Sequence, residues 1–90
     1  MKSIIQNEKS CYICGSPYVE EHHIFGGNPN RKLSEKYGLT VWLCHEHHTG
    51  NTGVHFNADL MNEFHALGQR AFERENPDKD FREVFGKNYL

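Results

Sequence analysis

The residues of this chain best suited to chemistry are three cysteines and a group of histidines. They fall in the segments Cys11-Tyr12-Ile13-Cys14, Glu21-His22-His23 and Cys44-His45-Glu46-His47-His48, with His55 following. Thiolate sulfur and neutral imidazole nitrogen are the ligands that zinc prefers in proteins. The chain has more of them than one zinc ion needs, so the surplus points to a second site.

Two ligand pairs with the same two-residue gap predict a structural zinc site. Cys11 and Cys14 form the first pair, and Cys44 and His47 form the second. Tetrahedral zinc is usually held by two such turns. His45 and His48 stand close enough to be alternatives to His47. Two other interpretations are less favoured: ordinary buried cysteines, and a thioredoxin-like redox pair, which needs a βαβ context that this sequence lacks.

The remaining histidines could form a second metal site beside a base. A bend or bulge near Gly26-Gly27 could aim His22 and His23 toward one pocket, where His22 and His48 would share an ion. Histidine suits both tasks, because neutral imidazole binds metals and titrates near neutral pH. The alternative is that some histidines are surface residues, and His65 is expected to be solvated or packed.

Size and charge limit the function classes. Ninety residues with 37% apolar content make one small domain with a thin core, which favours a metal. Three cysteines cannot all pair within the chain, and no segment resembles a signal peptide or membrane span, so a reducing, intracellular setting is expected. The net charge of −2 gives no support to nucleic-acid binding, so any DNA contact must be local.

The predicted elements are short strands and helices. Residues 1–10 are expected to form a strand or an arm. Strands are predicted over residues 18–25 and 39–43, as a hairpin whose long connection holds a loop at 26–30 and a helix over 31–37 that ends at Gly38. A polar turn at 49–53 precedes a helix over 57–76, capped by Asn57. Pro77 is expected to open a last helix ending at Gly86. This is an α+β pattern.

At these residues the chain resembles the HNH family of His-Me-finger (ββα-metal) nucleases, in particular small phage or prophage members. The resemblance covers about residues 11–55 and rests on Cys-x-x-Cys, Glu21-His22-His23-Ile24, Gly26-Gly27 and Leu43-Cys44-x-x-His47-His48. It implies a single domain over residues 1–90, with a zinc-stapled ββα-metal core at about 11–56 and C-terminal helices at about 57–86.

The resemblance also implies roles for individual residues. His23 takes the position of the general base, and His22 and His48 take metal-ligand positions, with His55 as a third candidate ligand. Arg31, Lys32 and Lys36 form the nearest basic cluster and could contact DNA phosphates; the alternative is a solvated helix face. The family's central asparagine is replaced by Leu39 and Thr40, and Asn28 or Asn30 could substitute for it.

The function implied is a metal-dependent endonuclease that hydrolyses phosphodiester bonds in DNA. Its cofactors would be structural Zn²⁺ and a catalytic divalent ion, which could be Mg²⁺, Mn²⁺ or Zn²⁺. The resemblance implies a cytoplasmic, bacterial or phage-encoded protein whose partner is DNA, and a recruiting protein could be a second partner. The alternative is a catalytically silent, zinc-stapled module that binds DNA or serves in assembly; a structural zinc domain whose long helix docks a partner is a third possibility.

Overall fold

The computed structural model describes residues 3–51 and 53–90. It is an α+β fold with a two-stranded antiparallel sheet, four α-helical segments and one 3₁₀ turn. In chain order these are β1 Glu20–His23, α1 Asn30–Tyr37, β2 Thr40–Leu43, α2 His45–His48, the 3₁₀ turn Val54–Phe56, α3 Ala58–Glu75 and α4 Phe81–Phe85. No helix in the described part of the chain is both long and apolar enough to cross a membrane.

The two strands pair as the predicted hairpin, but β1 contains no bulge. Its register runs without interruption from Glu20 opposite Leu43 to His23 opposite Thr40. Successive side chains of a strand point to opposite faces. Glu20 and His22 therefore share one face, and Glu21 and His23 share the other. Bends follow β1 at residues 24, 25 and 27, so the expected bend near Gly26-Gly27 lies beyond the strand and leaves His22 and His23 on opposite faces.

The N-terminal segment is an arm rather than a strand. Ser3 Oγ donates a hydrogen bond to the carbonyl of Thr40, and Gln6 Oε1 accepts one from the Trp42 amide. These side chains partly satisfy the outer edge of β2, as expected for an edge that would otherwise expose unpaired backbone groups. Met1 and Lys2 of the predicted arm, and Thr52 of the predicted polar turn, lie outside the described residues.

Helix α1 ends where the sequence predicts. Gly38 adopts φ +71°, the left-handed conformation that terminates many helices. The buried Ser34 ties the helix to the end of β1, because its hydroxyl donates to the Phe25 carbonyl and accepts from the Phe25 amide. This double hydrogen bond fixes how α1 lies against the strand that carries the histidines.

Helix α3 packs against the segment that follows β1 and contributes Phe64, Ala71 and Phe72 to the core. Asn57 caps it as predicted, accepting a hydrogen bond from the Leu60 amide. Gly68 lies so close to the segment after β1 that an added Cβ would stand 2.8 Å from Ile24 Cγ2 and 2.9 Å from Phe25 Cε2. The buried apolar core comes from the first cysteine turn, the segment after β1, the loop before β2, β2, the 3₁₀ turn, α3 and α4: Cys11, Ile24, Phe25, Leu39, Val41, Leu43, Val54, Phe64, Ala71, Phe72, Phe81 and Phe85.

The last helix begins later than expected. Asp80, not Pro77, precedes α4, and its carboxylate accepts a hydrogen bond from the Arg82 amide. A side-chain cap satisfies the first amides of a helix, which proline at the first position cannot do. Phe81 and Phe85 are buried, and the predicted stop at Gly86 is confirmed.

Candidate metal centres

Three cysteines and one histidine form the first cluster. Cys14 Sγ lies 3.8 Å from Cys44 Sγ, and His47 Nδ1 lies 3.7 Å from Cys11 Sγ and 3.2 Å from Cys44 Sγ. The four ligand atoms all lie within 4.8 Å of one another. His47 is thus the imidazole that joins the cysteines, while His45 is largely exposed and His48 belongs to another cluster.

The separations fit a tetrahedral zinc ion better than a disulfide. With Zn–S bonds of about 2.3 Å, two thiolates on one zinc stand about 3.8 Å apart. A disulfide would need about 2.05 Å between sulfurs, and all three cysteines are free. The residues predicted from spacing therefore lie together and can hold a structural metal.

The backbone around Cys11 favours its thiolate. Burial would raise the pKa of Cys11, but hydrogen bonds from the backbone at Cys44, Cys14 and Ile13, and from His47, lower it to about 6. At Cys14 the backbone of Ser16 lowers the pKa, yet the neighbouring Cys11 and Cys44 sulfurs raise it overall. Thiolates this close repel one another unless a cation lies between them.

Two tight turns present these ligands. The first is closed by the Gly15 amide donating to the Cys11 carbonyl, with Gly15 at φ +79°. That left-handed conformation explains the glycine directly after the second cysteine. The second turn is α2, which Cys44 precedes in an extended conformation. The Tyr12 amide donates to the Trp42 carbonyl, which anchors the first turn to β2.

Three histidines form the second cluster. His22 on β1, His48 on α2 and His55 on the 3₁₀ turn offer nitrogens that all lie within 4.8 Å of one another. Their ring centroids are 4.9–5.4 Å apart. His22 is only 4% exposed, and burial, followed by the charges of His48 and His55, lowers its pKa to about 3. His22 is therefore the neutral imidazole that a metal ion requires.

A carboxylate on β1 orients one member of this cluster. Glu20 Oε1 lies 2.8 Å from His48 Nδ1, and Glu20 Oε2 lies 3.2 Å from His45 Nδ1. These bonds lower the pKa of Glu20, so it is ionised and can only accept. The proton of His48 therefore sits on Nδ1, which leaves Nε2 as its ligand atom. Carboxylate–histidine pairs of this kind commonly support metal ligands.

His23 points away from the three-histidine cluster, toward helix α1. Its Nε2 lies 2.9 Å from Glu35 Oε1 and 3.8 Å from Glu21 Oε1. Even so, His23 and the three clustered histidines line one open cavity of about 310 Å³. The structure thus brings together all four histidines that the sequence analysis selected, with one of them on a separate wall.

The predicted basic residues take different positions. Arg31 lines the histidine cavity, beside Gly26 and Gly27. Lys32 is exposed on α1, and the Lys36 amine lies 5.3 Å from the centre of the Tyr37 ring. Asn30, considered as a substitute for the missing asparagine, directs its amide toward the Phe85 carbonyl.

Glu20 and Glu35 were not singled out by the sequence analysis. The alternation of β1 gives a signal for Glu20, because it stands two residues before His22 and so shares its face. Glu35 has no such local signal, since it reaches His23 only through the packing of α1.

Comparisons with known proteins do not identify a family for this chain. No protein-family model matches the chain, and neither curated proteins nor solved structures give a significant match. The side-chain arrangement itself therefore carries the functional argument.

Proposed function

We propose that the chain is a metal-dependent endonuclease of the HNH type that hydrolyses phosphodiester bonds in DNA. The observation that carries this proposal is a single cavity lined by the three clustered histidines and by His23, which is held separately. Metal-assisted hydrolysis needs a set of ion ligands and a base that is not one of them. The order of two antiparallel strands and a helix, with ligands on β1 and α2, supports a ββα-metal core.

The donor set favours a transition-metal ion over magnesium. His22, His48 and His55 would hold it through imidazole nitrogens, which suit zinc, nickel and iron, whereas magnesium prefers oxygen. A bound divalent ion would supply Lewis acidity toward a phosphate oxygen and the departing 3′ oxygen. We therefore expect stronger activity with Zn²⁺, Ni²⁺ or Mn²⁺ than with Mg²⁺.

The protein's own side chains supply the remaining functions. His23 takes a proton from the water that attacks phosphorus. The departing 3′ oxygen takes a proton from solvent water as its bond to phosphorus breaks, which leaves a 5′ phosphate and a 3′ hydroxyl. Such proton transfer contributes roughly 10²–10⁴-fold to the rate. Arg31, on the cavity wall, can pair with the phosphate, since guanidinium matches phosphate geometry.

Substrate contact is expected to be local. The chain carries ten lysines and arginines against twelve acidic residues, which gives no general attraction to DNA. Arg31, Lys32 and Lys36 on α1 would contact only a few phosphates. Binding should therefore weaken only modestly with added salt, because the salt dependence scales with the number of phosphates contacted.

The test combines metal counting with plasmid nicking. The wild type should hold one tightly bound zinc and one exchangeable ion, and should nick supercoiled DNA when Mn²⁺ or Ni²⁺ is added. His23→Ala should keep both metal equivalents and the melting temperature but lose roughly 10²–10⁴-fold in rate. Full activity in His23→Ala, or no cleavage by the fully loaded wild type with any of these ions, contradicts the proposal.

One observation favours a second candidate, a catalytically silent assembly module. An apolar cavity of about 550 Å³ lies beside the zinc turn, bordered by Tyr12, Ile13, Leu60 and Leu67. Exposed apolar surface of this kind commonly marks protein contacts. A single zinc equivalent with no exchangeable ion and no nicking would favour this role over the enzyme.

A further inference from the structure

The hydrogen bond between Glu35 and His23 assigns a role to a residue outside the metal clusters. We propose that Glu35 is a positioning residue, which keeps the His23 proton on Nε2 and so leaves Nδ1 to accept the proton from water. This inference rests on the proposed function. Its structural basis is the 2.9 Å contact between Glu35 Oε1 and His23 Nε2, on a histidine whose side chain is only 11% exposed.

The packing of α1 places Glu35 at this position. Its neighbour Ser34 is fully buried and bonds both backbone groups of Phe25, two residues beyond His23. The Leu39 amide also donates to the Ser34 carbonyl at 2.8 Å, just past the end of α1. The backbone beside Glu35 is therefore held by hydrogen bonds to Phe25 and Leu39, which places the half-exposed carboxylate of Glu35 beside His23.

The chemistry follows from the carboxylate being an acceptor only. A neutral imidazole carries its proton on either ring nitrogen, and the nitrogen that faces an ionised carboxylate must be the one that donates. Glu21, at 3.8 Å from the same Nε2, adds negative charge on the same side. Both carboxylates therefore favour one tautomer of His23 and oppose rotation of its ring.

Glu21, His23 and Glu35 could together hold a cation, because their ligand atoms lie within 4.8 Å of one another. The shortest separation argues against a tetrahedral zinc ion, and counting metal equivalents in the Glu35 variants tests for any other cation. Nitrogen and oxygen ligands on one tetrahedral zinc stand about 3.3 Å apart, given bonds of about 2.0 Å. The observed 2.9 Å is the length of an N–H···O hydrogen bond.

The experiment compares Glu35→Ala and Glu35→Gln with Glu83→Gln, a matched charge change at an exposed position on α4. Nitrogen-15 NMR at about pH 8.5, roughly two units above the ordinary histidine pKa, reports which ring nitrogen of His23 is protonated. The wild type and Glu83→Gln should show Nε2–H. Glu35→Ala should show a mixture, and Glu35→Gln should retain Nε2–H because its amide oxygen still accepts.

Kinetics supply the second readout. In Glu35→Ala, kcat should fall on the order of 10²-fold, as expected for a misplaced reacting group, while KM for DNA does not rise. Glu35→Gln should recover part of kcat, with melting temperatures near that of the wild type.

An unchanged tautomer or unchanged kcat in Glu35→Ala overturns the proposal, and so does loss of a metal equivalent, which would make Glu35 a ligand. If the wild type does not cleave DNA but His23 keeps its proton on Nε2, the proposed function and the positioning role of Glu35 in it are overturned. The hydrogen bond between Glu35 and His23 would still be established.

Discussion

His47 and His48 are adjacent on the single turn α2, yet they serve different clusters. His47 Nδ1 lies 3.2 Å from Cys44 Sγ, whereas His48 Nδ1 lies 2.8 Å from Glu20 Oε1. Neighbouring helical residues point about 100° apart, which permits this division. The position of His48 thus depends on the turn that the cysteine cluster holds in place.

The cysteine cluster should be required for folding. Structural zinc contributes on the order of 10 kcal/mol in small zinc domains, comparable with the whole stability of a domain this size. We expect His47→Gln, like Cys11→Ser, to lose bound zinc and its cooperative melting transition. His45→Gln is the control, because the His45 side chain is 77% exposed. Equal zinc content in the two histidine variants would contradict the assignment.

Glu20 should strengthen metal binding by the three-histidine cluster. Removing a carboxylate that orients a ligating histidine typically costs 10–100-fold in affinity, on the order of 1–3 kcal/mol. We expect Glu20→Gln to weaken binding of the exchangeable ion by roughly this factor, measured by calorimetric titration with Zn²⁺. Glu21→Gln makes the same charge change on the other face of β1 and should have a smaller effect. Equal affinities in the two variants would argue against an orienting role.

The close approach of α3 to the end of β1 makes a stability prediction. In Gly68→Ala the new methyl group would meet Ile24 and Phe25, both nearly fully buried. Overpacking costs about 1–3 kcal/mol of stability. The higher helix propensity of alanine relative to glycine offsets at most about 1 kcal/mol of this. We expect a lower free energy of unfolding in urea. Gly26→Ala, where nothing lies within 4 Å of the added carbon, should lose nothing.

His65 should make the fold more sensitive to acid. It stacks on Phe25, and burial, followed by the charge of Lys87, lowers its pKa below the ordinary value near 6.5. Below about pH 6.5 the unfolded chain binds a proton at His65 more readily than the folded chain does, so the free energy of unfolding falls as the pH falls. Above that pH His65 is neutral in both states and has no such effect. His65→Phe should lose less stability than the wild type between pH 7.5 and 5, measured by urea unfolding. Both proteins contain the cysteine cluster, so the difference between their losses of stability does not include its contribution. Equal losses in the wild type and in His65→Phe would refute the prediction.

The sequence predicted those features that depend on local chemistry. Gly38 and Asn57 mark helix ends through their own backbone or side-chain preferences, and the residues of the cysteine cluster follow from spacing within two turns. Features that depend on packing were missed. Glu35 meets His23 only because Ser34 binds the backbone of Phe25, and Asp80 replaces Pro77 at the start of α4 because its side chain caps the helix.

The four residues of β1 present the same pair of side chains on both faces, glutamate followed by histidine. A slip of one position would exchange the faces without changing the chemical groups on either. The strand alone therefore does not distinguish the imidazole proposed to bind an ion, His22, from the one proposed to accept a proton, His23. His48 and His55 on one side, and Glu35 on the other, make that distinction. Grafting β1 into another scaffold would transfer the side chains without their division of roles, unless α1, α2 and the 3₁₀ turn went with it.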